Sequence, residues 1–236
     1  MRLGVWLGCH TRDFLEDLKR TYLELLGELG VDYAVVDSGD FCCGYPAELA
    51  GEEESAARAS RRALELALEA GVERVVTPCP GCYRRLSSAW SGSGVRVEHL
   101  VQLLDETSSR WRSGLAPLKI RVAYHDPCDL GRGMGVYDQP RRVIEAIPGV
   151  ELVELELNRD RSTCCGGGGL LFAIEPELSV EIALEKIERE VVPLGVDCLA
   201  TACPTCRRVL SYAAERAGSG VEVVDVAELV YRALRG

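Results

Sequence analysis

The chain has 236 residues, of which 47% are hydrophobic and 27% charged, enough for one large or two small domains with a buried core. Its formal net charge of −10 argues against nucleic acid as a partner, because a phosphate backbone attracts lysine and arginine clusters. No apolar run reaches the roughly 18 to 20 residues of a membrane-spanning helix, so no direct membrane insertion is expected. The N-terminus carries no signal-peptide pattern, and we expect a cytoplasmic protein.

The first half of the chain alternates short β-branched runs with longer helical patterns. A helix is predicted at Glu52–Ala70, because this segment opens with acidic residues, repeats alanine and leucine on one face and stops at Gly71. Residues 107–118 contain Ser, Gly and Pro without a clear period and are predicted to be a linker. The strands predicted in this half are Leu3–Leu7, Val31–Asp37, Arg74–Thr77 and Val95–Glu98.

The second half repeats this order of strands and helices. A helix is predicted at Pro176–Val191, with proline in its first turn. Alternating strands and helices imply a parallel sheet covered on both faces, with the strand-to-helix loops at the carboxyl edge of the strands. The strands predicted in this half are Arg121–Tyr124, Glu151–Leu155, Cys198–Ala200 and Val221–Val224.

Ten of the eleven cysteines form two sets of the same form, one in each half. Each set has a lone cysteine, a Cys-Cys-Gly pair and a final Cys-x-x-Cys. The steps from the lone cysteine to the pair are 33 and 36 residues, and those from the pair to the final motif are 36 and 38. The first set is Cys9, Cys42, Cys43, Cys79 and Cys82, and the second is Cys128, Cys164, Cys165, Cys203 and Cys206.

Agreement this close indicates an internal duplication. The sequence around the cysteines repeats too, since ERVVTPCPGCYRRL matches DCLATACPTCRRVL. We therefore predict an α/β fold of two duplicated Rossmann-like parallel-sheet units, at 1–106 and 119–236, related by pseudo-twofold symmetry. Each cysteine of the two sets follows a predicted strand, so three loops of one sheet edge are expected to converge on one metal site in each unit.

Metal or redox chemistry explains so many cysteines in a reducing compartment better than disulfides do. Structural zinc is normally satisfied by four ligands, so a zinc site would leave one thiolate over in each half. Cubane iron–sulfur clusters also usually take four thiolates, and five suggest a larger or opened cluster. The spacing alone leaves both kinds of metal open, with zinc at one site as the alternative.

Three residues outside the cysteine sets need an interpretation. His10 and His125 lie within three residues of Cys9 and Cys128, and are candidates for tuning a metal site or donating a proton in catalysis. The competing interpretation for both is a structural loop histidine whose ring is satisfied by ordinary hydrogen bonds. Cys198 falls inside a predicted strand where the first half has Arg74, and is predicted to be a small buried hydrophobe.

The double motif resembles the tandem cysteine-rich (CCG) domain of the B-type subunit of heterodisulfide reductase and its relatives. Both final pairs, Cys79-Pro80-Gly81-Cys82 and Cys203-Pro204-Thr205-Cys206, are intact, and the resemblance covers nearly the whole chain. It implies that the ten cysteines hold two noncubane 4Fe–4S clusters, one for each set. It also implies that the two clusters face one active site, where a small disulfide is split.

The resemblance further implies a place in a larger complex. No ferredoxin-type cysteine run occurs in the sequence, so electrons are expected from a ferredoxin-like iron–sulfur partner, the C-type subunit of such complexes. A flavoprotein subunit is a further partner that the family allows. The alternative is a noncatalytic electron-transfer subunit of a lactate, glycolate, glycerol 3-phosphate or succinate dehydrogenase complex.

Overall fold

A computed structural model describes residues 2–39 and 41–236 of the chain. They form two compact units, Met1–Leu103 and Leu104–Gly236. Residues 107–118, expected as a linker, lie in the second unit and include a helix at Ser108–Trp111 and a 3₁₀ turn at Arg112–Gly114. The buried Trp111 fixes this segment, because its Nε1 donates to the Leu104 carbonyl at 3.1 Å.

Each unit contains one four-stranded sheet in which all strands are parallel. The strand order is β2-β1-β3-β4 in the first unit and β6-β5-β7-β8 in the second, so the two sheets share one topology. The predicted α/β fold of duplicated parallel-sheet units is therefore confirmed. The strands are β1 Leu3–Val5, β2 Tyr33–Val35, β3 Arg74–Thr77, β4 Arg96–His99, β5 Ile120–His125, β6 Val150–Glu154, β7 Cys198–Thr201 and β8 Glu222–Asp225.

Helices connect the strands of each unit. Among the described residues, none of these helices has both the length and the apolar character needed to cross a membrane. The helices of the first unit are α1 Cys9–Phe14, α2 Glu16–Glu28, α3 Tyr45–Leu49, α4 Glu53–Glu69, α5 Pro80–Ala89 and α6 Leu100–Glu106, the last of which continues into the second unit. The helices of the second unit are α7 Ser108–Trp111, α8 Gly131–Met134, α9 Asp138–Glu145, α10 Leu171–Ile174, α11 Pro176–Lys186, α12 Pro204–Arg216 and α13 Val226–Arg235.

The helix predicted at Pro176–Val191 has two parts in the structure. Its α-helical part ends at Lys186, and Ile187–Val191 form a single π turn. A 3₁₀ turn at Val192–Leu194 follows and ends at Gly195, which has a φ of 59°. Such π turns occur mostly within helices and often near functional sites.

The two inner strands of each sheet are packed among hydrophobic side chains, as expected for a parallel sheet covered on both faces. In the first unit the core includes Trp6, Val75 and Leu86 together with the thiols of Cys43 and Cys82. The core of the second unit includes, in the same way, the thiols of Cys165, Cys203 and Cys206. The inner cysteines thus belong to the hydrophobic cores, which fixes their positions.

The glycine after each cysteine pair is required by the backbone. Gly44 and Gly166 have φ values of 92° and 80°, in the left-handed region that L side chains rarely adopt. A Cβ atom would also lie close to backbone oxygen, at 2.5 Å from Ala56 O for Gly44 and 2.4 Å from Ser179 O for Gly166. Each cysteine pair can therefore approach α4 or α11 this closely only if a glycine follows the pair.

We predict that Gly166→Ala lowers the free energy of unfolding of the metal-free protein by about 2–5 kcal/mol, the sum of backbone strain and overpacking. Urea unfolding followed by circular dichroism measures this. Gly168→Ala is the matched control, since a Cβ there meets no atom within 4 Å and the φ is not positive. Equal stability of the two variants would contradict this account of the Cys-Cys-Gly turn.

Candidate metal centre

In the first unit, three loops at the carboxyl edge of the sheet bring five cysteines together. Cys9 begins α1 shortly after β1, and the Cys42–Cys43 pair follows β2. Cys79 precedes α5 and Cys82 lies in its first turn. The Sγ atoms of Cys43 and Cys82 are 3.3 Å apart. Further thiol contacts join the whole set in the order Cys9, Cys42, Cys43, Cys82 and Cys79.

The second unit repeats this arrangement after β5, β6 and β7. The Sγ atoms of Cys165 and Cys206 are 3.1 Å apart. Thiol contacts join the set in the order Cys128, Cys164, Cys165, Cys206 and Cys203. The structure therefore brings together all five members of each predicted set, and their role as metal ligands stays a prediction.

The local sequence explains how each final Cys-x-x-Cys is positioned. Cys79 and Cys203 have extended backbone conformations and act as N-caps of α5 and α12, while Pro80 and Pro204 occupy the first helical position. The second cysteine then lies in the first helical turn, on the same side as the first. In the second unit the Cys203 Sγ accepts a hydrogen bond from the Cys206 backbone N–H at 3.4 Å.

The thiols of each set strongly affect one another's protonation. Hydrogen bonds from Cys43 and Cys9 hold the pKa of Cys42 far below its ordinary value, and those from Cys128 and Cys165 do the same for Cys164. The pKa of Cys9 is raised by its hydrogen bond to Cys42, with burial adding to the effect. These thiol contacts therefore favour the thiolate form at the first cysteine of each pair and the protonated form at the lone cysteine.

Backbone N–H groups also point at the sulfur atoms. The amides of Gly44 and Gly166 donate to the Sγ atoms of Cys42 and Cys164, at 3.4 Å and 3.3 Å. The Gly167 amide donates to the Sγ of Cys165 at 3.4 Å. Such bonds stabilise anionic sulfur and tune the potential of a bound iron–sulfur group. The donor set, five convergent thiols with amide support, fits a metal–sulfur group in each unit.

An arginine clamp, which the sequence patterns did not predict, holds two cysteine loops together in each unit. Arg12 in α1 donates to the carbonyls of Asp37 and Phe41, just before the Cys42–Cys43 pair, at 3.2 Å and 2.8 Å. In the second unit Arg132 donates to the carbonyls of Asp160 and Ser162, at 3.1 Å and 2.7 Å. The available signal was an arginine three or four residues after the lone cysteine in both halves.

A serine on the second helix after each cysteine pair holds the Cys-Cys-Gly turn. Ser60 Oγ on α4 donates to the Cys43 carbonyl at 2.8 Å, and Ser179 Oγ on α11 donates to the Gly166 carbonyl at 2.8 Å. Both serines are buried. Their role was not predicted either, because small polar residues are common on helices and only the tertiary contact distinguishes these two.

The histidines differ in their surroundings. His10 lies half-buried in α1, with its ring centroid 5.9 Å from that of Phe14. His125 is buried at the end of β5, where a ring nitrogen lies within 4.8 Å of the Sγ atoms of both Cys165 and Cys206. Burial lowers the pKa of His125 well below its ordinary value. The structure thus places His125, and not only the cysteines, beside the second set.

His99 has structural surroundings, and Cys198 is buried in a strand, as its position in the sequence predicted. The ring nitrogens of His99 have backbone partners, Pro78 O at 2.8 Å and Val101 N at 3.2 Å. Cys198 is buried at the start of β7, and its Sγ lies 3.7 Å from a Glu222 carboxylate oxygen. Burial raises the pKa of the Cys198 thiol to about 11. It therefore stays protonated and apart from the five-cysteine set.

Sequence comparison finds several relatives of this chain. The D-type subunit of the dihydromethanophenazine:CoB–CoM heterodisulfide reductase of Methanosarcina barkeri is 32% identical over 89% of this chain and 53% of its own length. The B-type subunit of the CoM/CoB fumarate reductase of Methanothermobacter marburgensis is 33% identical over 97% of this chain and 46% of its own length. The EtfAB:quinone oxidoreductase of Syntrophomonas wolfei is 29% identical over 98% of this chain and 34% of its own length. The chain spans about half the length of the first two relatives.

Among solved structures, the aspartate racemase of Picrophilus torridus is similar in overall path. It covers 99% of this chain and 92% of its own, with a TM-score of 0.45 and 14% sequence identity. No activity follows from so distant a likeness.

The family model of the CCG cysteine-rich domain matches the chain twice, at residues 3–87 and 122–211. These ranges contain all ten cysteines of the two sets and most of both sheets. The resemblance inferred from the cysteine spacing is therefore confirmed. The chain belongs to the CCG cysteine-rich domain family and carries two copies of that domain.

Proposed function

We propose that this chain is the iron–sulfur part of a heterodisulfide reductase-like oxidoreductase that reduces a small disulfide. The observation that carries the proposal is the convergence of five thiols in each of two duplicated units. Two relatives are named as subunits of a heterodisulfide reductase and a CoM/CoB fumarate reductase, which supports a redox role at this domain.

Each cysteine set is proposed to hold one 4Fe–4S cluster of the noncubane type. Five thiolate ligands exceed what a tetrahedral zinc site uses, which favours iron and sulfide over zinc. When bound, such a cluster supplies one-electron transfer and iron that binds sulfur. The ligands would be Cys9, Cys42, Cys43, Cys79 and Cys82 in the first unit, and Cys128, Cys164, Cys165, Cys203 and Cys206 in the second.

The cysteines define a buried side and an open side of each site. Cys43 and Cys82 are buried in the first unit, whereas Cys9, Cys42 and Cys79 are partly exposed. In the second unit Cys165, Cys203 and Cys206 are buried, and Cys164 is the exposed member of the pair. A disulfide would therefore approach from the side of the lone cysteine and the first cysteine of the pair.

Reduction of one disulfide takes two electrons and two protons and yields two thiols. The chain has no ferredoxin-type cysteine run, so we propose that a ferredoxin-like iron–sulfur partner, a C-type subunit, delivers the electrons. A flavoprotein subunit would in turn pass electrons to that ferredoxin-like partner. Proton donation by His10 stays a prediction, whereas His125 suits that role less well, because its burial lowers its pKa.

The alternative function is electron transfer without disulfide chemistry. It is supported by the similarity to the EtfAB:quinone oxidoreductase of Syntrophomonas wolfei, whose name includes no disulfide substrate. In that case the two sites would pass electrons within a dehydrogenase complex. Turnover of small disulfides by purified protein with an artificial reductant distinguishes the two functions.

We predict that anaerobically purified protein binds about eight irons and that Cys165→Ser lowers this by about half, because one of two four-iron sites loses a ligand. Iron and sulfide analysis of each variant provides the measurement. Cys198→Ser is the matched control and should keep the wild-type iron content, because this buried thiol lies apart from the set. Stoichiometric zinc in place of iron would refute the proposal.

We also predict that Cys82→Ala and Cys206→Ala each lower disulfide turnover by at least about 10- to 100-fold, the range typical of lost metal-site interactions. Both sets are required because a disulfide releases two sulfur atoms and each needs a stabilising site. Turnover of a panel of small disulfides is measured with an artificial reductant, after the other site is shown to keep its iron. Near wild-type turnover in either variant would favour electron transfer as the function.

A further inference from the structure

Two aromatic rings occupy one duplicated position next to the cysteine sets. Trp6 lies three residues before Cys9, and His125 lies three residues before Cys128. The sheet register agrees with this alignment. Val5, before Trp6, pairs with Val76 on β3, and Tyr124, before His125, pairs with Ala200 on β7. Both rings therefore lie at the carboxyl end of equivalent inner strands, β1 in the first unit and β5 in the second.

The indole of Trp6 is fully buried, and its N–H has no acceptor among the residues that the structure describes. Its relative exposure is 0%, and among the described residues the Nε1 atom has no hydrogen-bond partner. Trp6 belongs to the hydrophobic cluster that contains Cys43 and Cys82, the two thiols in direct contact. An indole N–H can only donate, so it needs an acceptor that the described residues do not supply.

His125 has the same deficit in the second unit. It is 1% exposed, and within the described part of the chain neither Nδ1 nor Nε2 has a hydrogen-bond partner. A ring nitrogen and the Sγ atoms of Cys165 and Cys206 all lie within 4.8 Å of one another. An imidazole carries at least one N–H donor in either protonation state.

Three other buried nitrogen-bearing rings have hydrogen-bond partners. The Nε1 atoms of Trp90 and Trp111 donate to backbone carbonyls at 2.9 Å and 3.1 Å, and His99 has backbone partners for both ring nitrogens. Buried polar groups are normally hydrogen-bonded, because leaving one unpaired costs its full desolvation. Within the described part of the chain the Tyr124 hydroxyl is also unpaired, but Trp6 and His125 share their lack of a partner at one duplicated position and near the buried thiol contact of each unit.

We propose that Trp6 and His125 each donate a ring N–H to a sulfur atom of the cluster bound in their own unit. This inference rests on the proposed function, because it requires that each set binds an iron–sulfur group. Tryptophan is not a metal ligand, so the duplicated position is a donor position and His125 is a positioning residue rather than a ligand. An N–H donated to sulfur stabilises the reduced, more negative cluster and raises its reduction potential.

The test compares Trp6→Phe and His125→Phe, which remove the N–H and keep an aromatic ring. We expect both variants to keep the wild-type iron content and to shift the potential of the altered unit's cluster to a more negative value. Redox titration followed by electron paramagnetic resonance measures the two potentials, and iron analysis measures loading. His125→Trp, which restores a donor, should return the second potential towards the wild-type value.

Trp90→Phe is the matched control. Its N–H already has a partner in Ser60 O, so its loss should leave both potentials unchanged. Unchanged potentials in iron-loaded Trp6→Phe and His125→Phe would overturn the donor inference while leaving the proposed function intact. Loss of iron from His125→Phe that His125→Trp does not restore would also overturn it, since His125 would then be a ligand. Wild-type protein without iron would refute the proposed function itself.

Discussion

The fold depends on one constraint, the close approach of five thiols at the carboxyl edge of each parallel sheet. The inner pairs are 3.3 Å and 3.1 Å apart, and at about 4 Å two thiolates repel by roughly 4 kcal/mol at an effective dielectric constant of 20. Most thiols of the metal-free protein therefore keep their protons, as the raised pKa values of Cys9 and Cys128 indicate. A cationic group at the centre would reverse the sign of these interactions, so binding of the proposed cluster would release protons and stabilise the loops together.

The duplicated units meet this constraint with the same devices but not with the same charges. Each uses an arginine on the loop of its lone cysteine, Arg12 or Arg132, to hold the loop before the cysteine pair. The carboxylates are placed differently. Asp37, after β2, accepts from the amides of Leu7 and Gly8, whereas Asp126, after β5, binds Arg141 through both oxygens. The geometry of the thiols is thus retained while the surrounding charges have diverged.

The sequence predicted the strands and the grouping of cysteines because both depend on local or repeated patterns. β-Branched runs mark the strands, and the duplication shows which cysteines belong together, since a parallel sheet brings the loops after its strands to one edge. The arginine clamps and the unpaired ring of Trp6 were not predictable in this way. They depend on which backbone carbonyl or apolar surface lies nearby, and only the three-dimensional packing determines that. The π turn after Lys186 was not predicted either, for the same reason.

The surroundings of the two sets also differ on the second helix after each cysteine pair, α4 or α11. The buried face of α4 in the first unit consists of alanines and Ser60. On α11 in the second unit, Lys186 is buried and donates to Thr163, next to Cys164, and to Glu190 in the π turn. Positive charge at Lys186 also contributes to the lowered pKa of His125, after burial. The two cysteine sets then differ in nearby charge and hydrogen bonding, the features that set the potential of an iron–sulfur group. The duplication therefore keeps one arrangement of thiols and varies the charge around it, so iron–sulfur groups bound as proposed would have unequal potentials.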